Sequence, residues 1–198
     1  MEPPEEKSKT VPITKPRSEK YHPEITRLPA LTCYRKVIRR LISWILRFLI
    51  WVSLDVRITG KQNIPKHGAC LLVSNHLGDS DGLLGWAFTP RIDSEVIIKS
   101  ELHRFPFLGF ILNQYGVLWV HRGEPDRRLI REVMRGIKEG RLIGIAPEGR
   151  ESLTGELEEG TQGAAYLALK ADLPIVPLTF TGTENKRIFS NLRKLRRT

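Results

Sequence analysis

The sequence predicts an α/β fold, with a mostly parallel central sheet flanked by helices and preceded by an amphipathic helical segment. From about residue 56 onwards, short apolar runs alternate with helix-like segments, which is the pattern of a parallel sheet. Polar residues capable of chemistry follow several of the apolar runs, at the sheet edge where α/β proteins bind ligands. The chain has 198 residues, 40% of them hydrophobic, enough for one domain with its own core.

The elements of this fold follow from the order of the apolar and helix-like runs. Pro125 suits the first turn of a helix and Gly140 suits the position after its end. Because a helix separates each pair of strands, we expect the strands to run parallel. The predicted strands are Ala69–Val73, Glu95–Ile98, Gly116–Val120, Leu142–Ala146 and Ile175–Phe180, and the predicted helices are Gly82–Phe88, Phe107–Gln114, Asp126–Glu139 and Thr161–Ala171.

Residues 1–30 are predicted to form a mobile tail. They contain six of the thirteen prolines together with mixed charges, and they have neither an apolar stretch nor the pattern of a secretory signal. Such a composition buries too little apolar surface to offset the entropy of ordering the chain.

Residues 31–55 are predicted to form an amphipathic helix that lies in a membrane interface. At about 100° per residue, Lys36, Arg40, Ser43 and Arg47 share one stripe, and large apolar residues surround it. The apolar part covers 14 residues and contains Arg47, whereas a membrane-spanning helix needs about 20. The alternative is a core helix with one basic edge. Five cations without an acid between residues 31 and 50 favour an anionic membrane surface.

The charge of the whole chain also favours an anionic partner. A net charge of +10 and a pI near 9.9 suit nucleic acid, an anionic membrane or a phosphorylated substrate. Residues 186–197 carry six cations and no acid, which is typical of either a solvated tail or a second anion-binding patch. Two cysteines, Cys33 and Cys70, form neither a disulfide framework nor a metal cluster, so we expect a reducing compartment.

The strongest candidate for chemistry is the pair His76 and Asp81, which follows the first predicted strand. A neutral imidazole can accept a proton from a hydroxyl, and a carboxylate on its other nitrogen fixes the tautomer. A histidine at a strand end is also often only a capping group, so the spacing alone leaves both interpretations open.

Further polar clusters follow the other predicted strands. Arg122 ends one strand, and an arginine there can bind a phosphate with two hydrogen bonds. Glu148 and Arg150 flank a glycine in a tight turn, where they either contact substrate or pair with each other. One base, its carboxylate and further charged groups at a single sheet edge together favour a catalytic site.

These stretches resemble, in order, the conserved blocks of the glycerolipid acyltransferase family, which includes lysophosphatidic acid acyltransferase. The family's Asn-His-x-x-x-x-Asp block is matched by Asn75, His76 and Asp81, and its second block by residues 116–122, from Gly116 to Arg122. Its third block usually has the sequence Phe-Pro-Glu-Gly-Thr-Arg-Ser. Residues 146–152 here are Ala-Pro-Glu-Gly-Arg-Glu-Ser, so the threonine is missing and the arginine comes one place early. The fourth block is matched at Pro177, and the resemblance covers about residues 55–182.

The resemblance implies transfer of a fatty acyl group from acyl-CoA or acyl carrier protein to the hydroxyl of lysophosphatidic acid. His76 would be the general base and Asp81 its orienting group, without an acyl-enzyme. Backbone N–H groups of the turn at residues 147–149 are candidates for binding the oxyanion. The implied acceptor-binding residues are Arg122, Glu148, Gly149 and Arg150, and the supporting residues of the blocks are Asn75, Gly116, Pro147 and Pro177.

Several expectations about partners and location accompany this assignment. We expect no metal and no resident cofactor, with the acyl thioester as co-substrate and magnesium stimulation left open. The expected partners are an anionic membrane surface, a lysophospholipid, the thioester and acyl carrier protein, but not nucleic acid. The expected location is the cytoplasmic face of a membrane, the inner membrane in a bacterium. The predicted division is a tail (1–30), an interface helix (31–55), an acyltransferase domain (56–182) and a basic tail (183–198).

Three alternatives remain at this point. A nucleic-acid-binding protein would carry its cations across a folded face, whereas here they concentrate at residues 35–47 and 186–197 beside bulky apolar residues. An inactive lipid-binding scaffold would not need both His76 and Asp81. An acyltransferase with another acceptor, such as glycerol 3-phosphate, another lysophospholipid or an aminolipid, would use the same catalytic pair.

Overall fold

The computed structural model of the chain describes residues 22–121 and 126–193, and its centre is a five-stranded, wholly parallel sheet. The strands follow the order β3-β2-β4-β1-β5, and every neighbouring pair is parallel. The predicted α/β class is therefore confirmed, and each predicted strand is present to within a few residues. The strands are β1 (Cys70–Ser74), β2 (Ser94–Lys99), β3 (Leu118–Val120), β4 (Leu142–Ile145) and β5 (Ile175–Leu178).

Six α-helices accompany the sheet in the described residues. Asp126 caps the helix that follows β3, because its side chain accepts the backbone N–H groups of Arg128 and Leu129. Gly140, at φ +76°, follows the end of that helix as predicted, whereas Pro125 lies outside the described residues. The helices are α1 (Cys33–Ser53), α2 (Ser80–Phe88), α3 (Pro106–Tyr115), α4 (Arg127–Lys138), α5 (Gly163–Ala171) and α6 (Asn185–Arg193), with short 3-10 helices at Pro23–Ile25, Lys61–Asn63 and Ser100–Arg104.

The helices cover both faces of the sheet, which gives three layers. Because side chains alternate along a strand, Leu118 of β3 packs with α4 and α5 on one face, whereas Val117 and Trp119 pack with α1, α2 and α3 on the other. The first cluster is centred on Leu71 and Ile143, both fully buried. Burial on both faces explains why the central strands are almost continuously apolar.

Helix α1 is attached to the sheet by a buried guanidinium. Arg39 is fully buried, and both of its terminal nitrogens donate to the carboxylate of Glu95 on β2, at 3.2 and 2.9 Å. It also donates to the carbonyls of Tyr115 and Gly116, where α3 ends. Arg141 donates to the same carboxylate at 2.7 Å. One cation that the sequence assigned to the membrane surface is thus part of the core.

Two of the four residues in the predicted polar stripe of α1 require a correction. Ser43 donates to the carbonyl of Trp86, and Arg47 donates to that of Ala87, so these two side chains face the end of α2 instead of lipid head groups. The opposite face of α1 is strongly apolar and exposed, with Trp44 at 66% and Trp51 at 67%. In the described part of the chain, no helix combines the length and apolarity needed to span a bilayer.

The segment before α1 also differs from its prediction as a mobile tail. Thr26 and Leu28 are buried, and the Thr26 hydroxyl donates to the carbonyl of Trp119 on β3. Side chains of α4 also hold this segment, because Glu132 accepts the N–H of Leu28 and Arg135 donates to the carbonyl of Leu28. These bonds join positions about a hundred residues apart, so composition alone does not reveal them. Residues 1–21 lie outside the described residues.

The basic C-terminal segment, predicted as a solvated tail or an anion-binding patch, is helical up to Arg193. Its first turn lies against the loop that follows β1, because Asn185 accepts the backbone N–H of Asp79 at 3.0 Å. The segment therefore meets the candidate site, as described below. Residues 194–198 lie outside the described residues.

Candidate active site

The site is built where the parallel strands end. Asn75 follows β1 and exchanges two hydrogen bonds with the backbone of Phe180, at 2.9 and 2.7 Å, which fixes the end of β1 to the chain just beyond β5. The next residue, His76, therefore stands at a rigid corner of the sheet edge. Through this contact Asn75 positions the chain that leads to His76.

His76 and Asp81 form a hydrogen-bonded pair. Nδ1 of His76 lies 3.0 Å from Oδ2 of Asp81, and the histidine side chain is 29% exposed whereas the carboxylate is 4% exposed. With Nδ1 held by the carboxylate, the proton of a neutral imidazole lies on Nδ1 and the lone pair on Nε2. Among the residues that the structure describes, none donates to or accepts from Nε2 of His76. The exposed nitrogen can therefore accept a proton from a substrate hydroxyl.

Asp81 is itself fixed by the backbone. The Oδ2 atom that meets His76 also accepts the N–H groups of Leu77 and Gly78, at 2.6 and 3.0 Å. Asp81 lies in the first turn of α2, where the helix dipole favours a negative charge. These contacts hold the carboxylate at a single position relative to the imidazole, as an orienting group requires.

Glu148, a predicted acceptor-binding residue, contacts the backbone of His76. It is 3% exposed, and its Oε1 accepts the N–H of His76 at 3.1 Å while its Oε2 accepts the N–H of Glu158 at 3.3 Å. Burial raises the pKa of this carboxyl, and the two backbone N–H groups oppose that rise. The contacts make Glu148 a link between the ends of β4 and β1.

The turn that carries Glu148 depends on a glycine. Gly149 has φ +71°, a left-handed conformation that residues with a Cβ rarely adopt, and its Cβ position faces open space. Its N–H donates to the carbonyl of Ala146, so it is already used within the turn. Pro147 has no N–H, and its carbonyl accepts the N–H of Thr161. Of the turn's backbone N–H groups that were expected to bind the oxyanion, the N–H of Glu148 therefore remains the candidate.

Of the two arginines predicted to bind the acceptor, the structure describes Arg150. Arg150 donates to Oε2 of Glu158 through Nε and Nη2, at 3.1 and 2.7 Å, and both side chains are largely buried. A role for Arg150 in acceptor binding stays a prediction and requires this ion pair to open. Arg122 lies outside the described residues. The supporting residue Gly116 lies at the end of α3, and Pro177 lies in the edge strand β5, a position that tolerates proline.

Three residues near the His76–Asp81 pair were not singled out for chemistry from the sequence: Lys99, Glu151 and Asn185. Lys99 ends β2, and its Nζ lies 3.8 Å from Oε1 of Glu151. Asn185 of α6 donates to Oε2 of Glu151 at 3.0 Å and also contacts Asp79. The position of Lys99 at the end of a parallel strand was a usable signal, whereas nothing in the sequence predicts the contact of Asn185.

No group of three or more side chains suited to hold a metal ion occurs in residues 22–121 and 126–193. The acids near His76 are each engaged by a backbone N–H, a lysine or an asparagine. The expectation of a metal-free site stays a prediction.

Similarity to known proteins shows the family to which the chain belongs. The family model named Acyltransferase matches residues 55–181, which include all the described strands and the His76–Asp81 pair. The chain belongs to the acyltransferase family. A 1-acyl-sn-glycerol-3-phosphate acyltransferase of Borreliella burgdorferi is 30% identical over 143 residues, covering 71% of this chain and 57% of that protein. Human 1-acyl-sn-glycerol-3-phosphate acyltransferase beta is 27% identical over 158 residues, covering 78% and 55%.

A solved structure shares the fold of this acyltransferase. The crystal structure of the 1-acyl-sn-glycerophosphate (LPA) acyltransferase PlsC from Thermotoga maritima has a TM-score of 0.61 and 25% identity, covering 72% of this chain and 57% of that one. The chain thus spans a little over half the length of the relatives that it matches. The resemblance seen in the sequence blocks is confirmed at the level of the family.

Proposed function

We propose that this acyltransferase moves a fatty acyl group from a thioester, acyl-CoA or acyl carrier protein, to the free hydroxyl of lysophosphatidic acid, giving phosphatidic acid. The observation that carries the proposal is the pair of His76 and the buried Asp81, joined at 3.0 Å with Nε2 of the imidazole turned away from the carboxylate. The names of the matched relatives supply the acceptor.

The first step is attack by the acceptor hydroxyl. Its oxygen forms a bond to the thioester carbonyl carbon while its proton passes to Nε2 of His76. The imidazolium that results is stabilised by Asp81, which accepts the hydrogen bond from Nδ1 throughout. General-base catalysis of this kind contributes roughly 10²- to 10⁴-fold to the rate.

The second step is collapse of the tetrahedral intermediate. The carbon–sulfur bond breaks, and the sulfur leaves as a thiol with the proton held by His76, so the enzyme returns to its starting state. No atom of the protein is acylated, and no metal or resident cofactor takes part in this mechanism.

The acceptor's phosphate requires a cation near His76. Lys99 is the described candidate, because it lies at the same sheet edge and its side chain is 33% exposed. The phosphate ligand inferred from the resemblance, Arg122, would supplement it. A lysine binds a phosphate as a point charge, and an arginine can add a bidentate hydrogen bond.

The outer face of α1 supports docking on an anionic membrane. Its exposed aromatic residues pair along the helix, with Phe48 stacked on Trp44 at 6.4 Å and near Trp51 at 6.3 Å. Helix α3, which packs beside α1, adds the exposed rings of Phe107 and Phe110. Aromatic and aliphatic side chains at this density suit the boundary between head groups and acyl chains. We propose this face as the membrane contact, on the cytoplasmic side.

The test is acyl transfer by the purified protein in liposomes, with radiolabelled lysophosphatidic acid and oleoyl-CoA. We expect phosphatidic acid from the wild type and a loss of about 10²- to 10⁴-fold in kcat for His76→Ala. His67→Ala is the matched control, because His67 is exposed and lies away from the strand ends. Glycerol 3-phosphate, other lysolipids and acyl carrier protein donors run in parallel.

Each outcome of this experiment separates the candidate functions. Product from another acceptor, lost in H76A, keeps the mechanism and changes the substrate. Equal activity of H76A and the wild type overturns the assignment of the base. Folded protein that binds liposomes but transfers to no acceptor from either donor favours a lipid-binding scaffold.

A further inference from the structure

Lys99 and Glu151 form an ion pair near His76. Nζ of Lys99 lies 3.8 Å from Oε1 of Glu151, and each side chain is about a third exposed, which leaves both within reach of a ligand. Asp79 and His76 are the other charged or titratable groups that face Glu151 in the described residues. The carboxylate therefore acts as an internal anion held against the cation.

Glu151 is held beside the base by the backbone. The N–H of the next residue, Ser152, donates to the carbonyl of His76 at 2.7 Å, which ties the two loops together. Asn185 donates to the second oxygen of Glu151 at 3.0 Å and fixes it from the side of α6. Two separate contacts thus keep the carboxyl group of Glu151 near His76.

The position of this acid in the third block adds a second observation. Where the family's block usually has an arginine, the sixth place here is Glu151, and the arginine at the fifth place, Arg150, is turned away into its ion pair with Glu158. The sixth place of the block therefore carries an acid in this chain. Burial and Asp79 raise the pKa of Glu151 despite Lys99, so that the lysine only partly compensates this carboxylate.

We propose that Glu151 limits the affinity for the acceptor by charge: it competes with the phosphate of lysophosphatidic acid for Lys99, which narrows the preference for this acceptor over a zwitterionic lysolipid. The inference rests on the proposed function and names a residue that sets how tightly its acceptor binds. A phosphate dianion at Lys99 must displace Glu151 and then lie beside it, whereas a head group with an ammonium can meet both charges.

The experiment measures binding and turnover separately. Binding of lysophosphatidic acid, and of a zwitterionic lysolipid with an ethanolamine head group, is followed by tryptophan fluorescence in full-length H76A, with and without Glu151→Gln. Turnover of both acceptors is measured in the catalytically intact forms. Glu159→Gln is the matched control, because it removes the same charge from an exposed side chain of the same loop. Lys99→Met, alone and with E151Q, completes a double-mutant cycle.

We expect E151Q to tighten lysophosphatidic acid binding and lower its KM by about twofold to fivefold, the range of a partly exposed ion pair. Binding of the zwitterionic lysolipid should weaken or stay constant, and E159Q should match the wild type. In the K99M background the effect of E151Q on lysophosphatidic acid should be largely lost. Thermal unfolding of each variant checks that the fold is retained.

Two results would overturn the inference. Equal effects of E151Q on both lysolipids would make Glu151 a structural residue, and an effect of full size in the K99M background would remove the competition for Lys99. If the wild type transfers to neither lysolipid, the proposed function fails, while the binding comparison in H76A still decides the role of Glu151.

Discussion

Glu148 accepts the backbone N–H of His76 at 3.1 Å, so a carboxylate just beyond β4 holds the main chain of His76 just beyond β1. Its other oxygen accepts the N–H of Glu158 at 3.3 Å. Both carboxylate oxygens of this buried acid thus accept a main-chain N–H. The contact explains why a glutamate stands beside the histidine: it positions the main chain of His76.

Replacement of Glu148 by glutamine should therefore reduce catalysis through the position of His76. An amide has one oxygen, so one of the two N–H groups would face an NH₂ group and lose its acceptor, at a cost of about 1–3 kcal/mol. We expect kcat to fall by about tenfold, with a smaller change in the KM of the acceptor. Steady-state kinetics measures both, and Glu156→Gln, an exposed acid on the following loop, is the control.

The stability of E148Q should also differ from wild type in its pH dependence. The pKa of Glu148 is raised in the folded state, so its contribution to the free energy of unfolding is fully present below the ordinary glutamate pKa. The contribution is lost as pH rises through the raised pKa. Urea unfolding between about pH 4 and pH 8 should show this loss in the wild type and not in E148Q. A slope shared by both proteins would contradict the assigned cause.

The loop between His76 and Asp81 has no room for a side chain at Gly78. A Cβ there would lie 2.5 Å from the carbonyl oxygen of Thr183 and 2.7 Å from Oδ1 of Asn185. Gly78→Ala should therefore displace either the loop or the start of α6, at a cost of about 1–3 kcal/mol, and lower kcat. Unfolding and acyl transfer are the measurements.

Gly82→Ala provides the matched control for this prediction. Gly82 lies four residues further on in α2, and a Cβ there would meet no atom within 4 Å. Alanine in a helix should stabilise the protein by roughly 0.5–1 kcal/mol. Wild-type kcat in G78A would show that α6 does not restrain the loop.

The parts of the fold that the sequence predicted correctly depend on local patterns. The run around Leu71 is apolar because both faces of its strand are buried. Asp81 comes five residues after His76, and the short loop and first helical turn between them bring the two side chains into contact. Periodicity and the ends of strands are visible along the chain. The α/β class and the His76–Asp81 contact were therefore predictable.

The parts that were missed depend on contacts between distant positions. Arg39 resembles the other cations of its helix in sequence, and only the fold brings it to Glu95, which lies 56 residues away. Arg150 is adjacent to the catalytic blocks, but its ion pair with Glu158 draws it away. Charged residues obey no periodic pattern that tells a buried partner from a lipid head group, so their roles required the structure.

The buried cluster of Arg39, Glu95 and Arg141 predicts how α1 is held. Glu95→Gln would leave the buried guanidinium of Arg39 without its carboxylate and would leave Arg141 with the carboxylate of Glu139, and breaking a buried ion pair costs about 3–5 kcal/mol. We expect a large loss of stability, measured by thermal or urea unfolding. Asp55→Asn, an exposed acid just beyond α1, should leave the free energy of unfolding within about 0.5 kcal/mol of wild type. Similar stability of both variants would exclude this cluster as the attachment of α1.

The exposed aromatic face of α1 leads to a prediction for membrane binding. Trp44, Phe48 and Trp51 are each more than half exposed, and insertion of each ring should contribute roughly 1 kcal/mol or more. Changing all three to serine should lower the partition coefficient onto anionic vesicles by about 100-fold. Co-sedimentation with vesicles measures it.

The control for this prediction is on the opposite layer of the domain. Tyr166 and Leu169 of α5 are exposed at 45% and 84%, and they lie on the helix that packs against the other face of the sheet. Their serine variants should bind vesicles as the wild type does. Because Arg40 is exposed on α1, binding should also weaken as salt rises and in vesicles without anionic lipid. Equal loss from both faces would mean nonspecific adsorption, and would remove α1 as the surface that brings His76 to its lipid substrate.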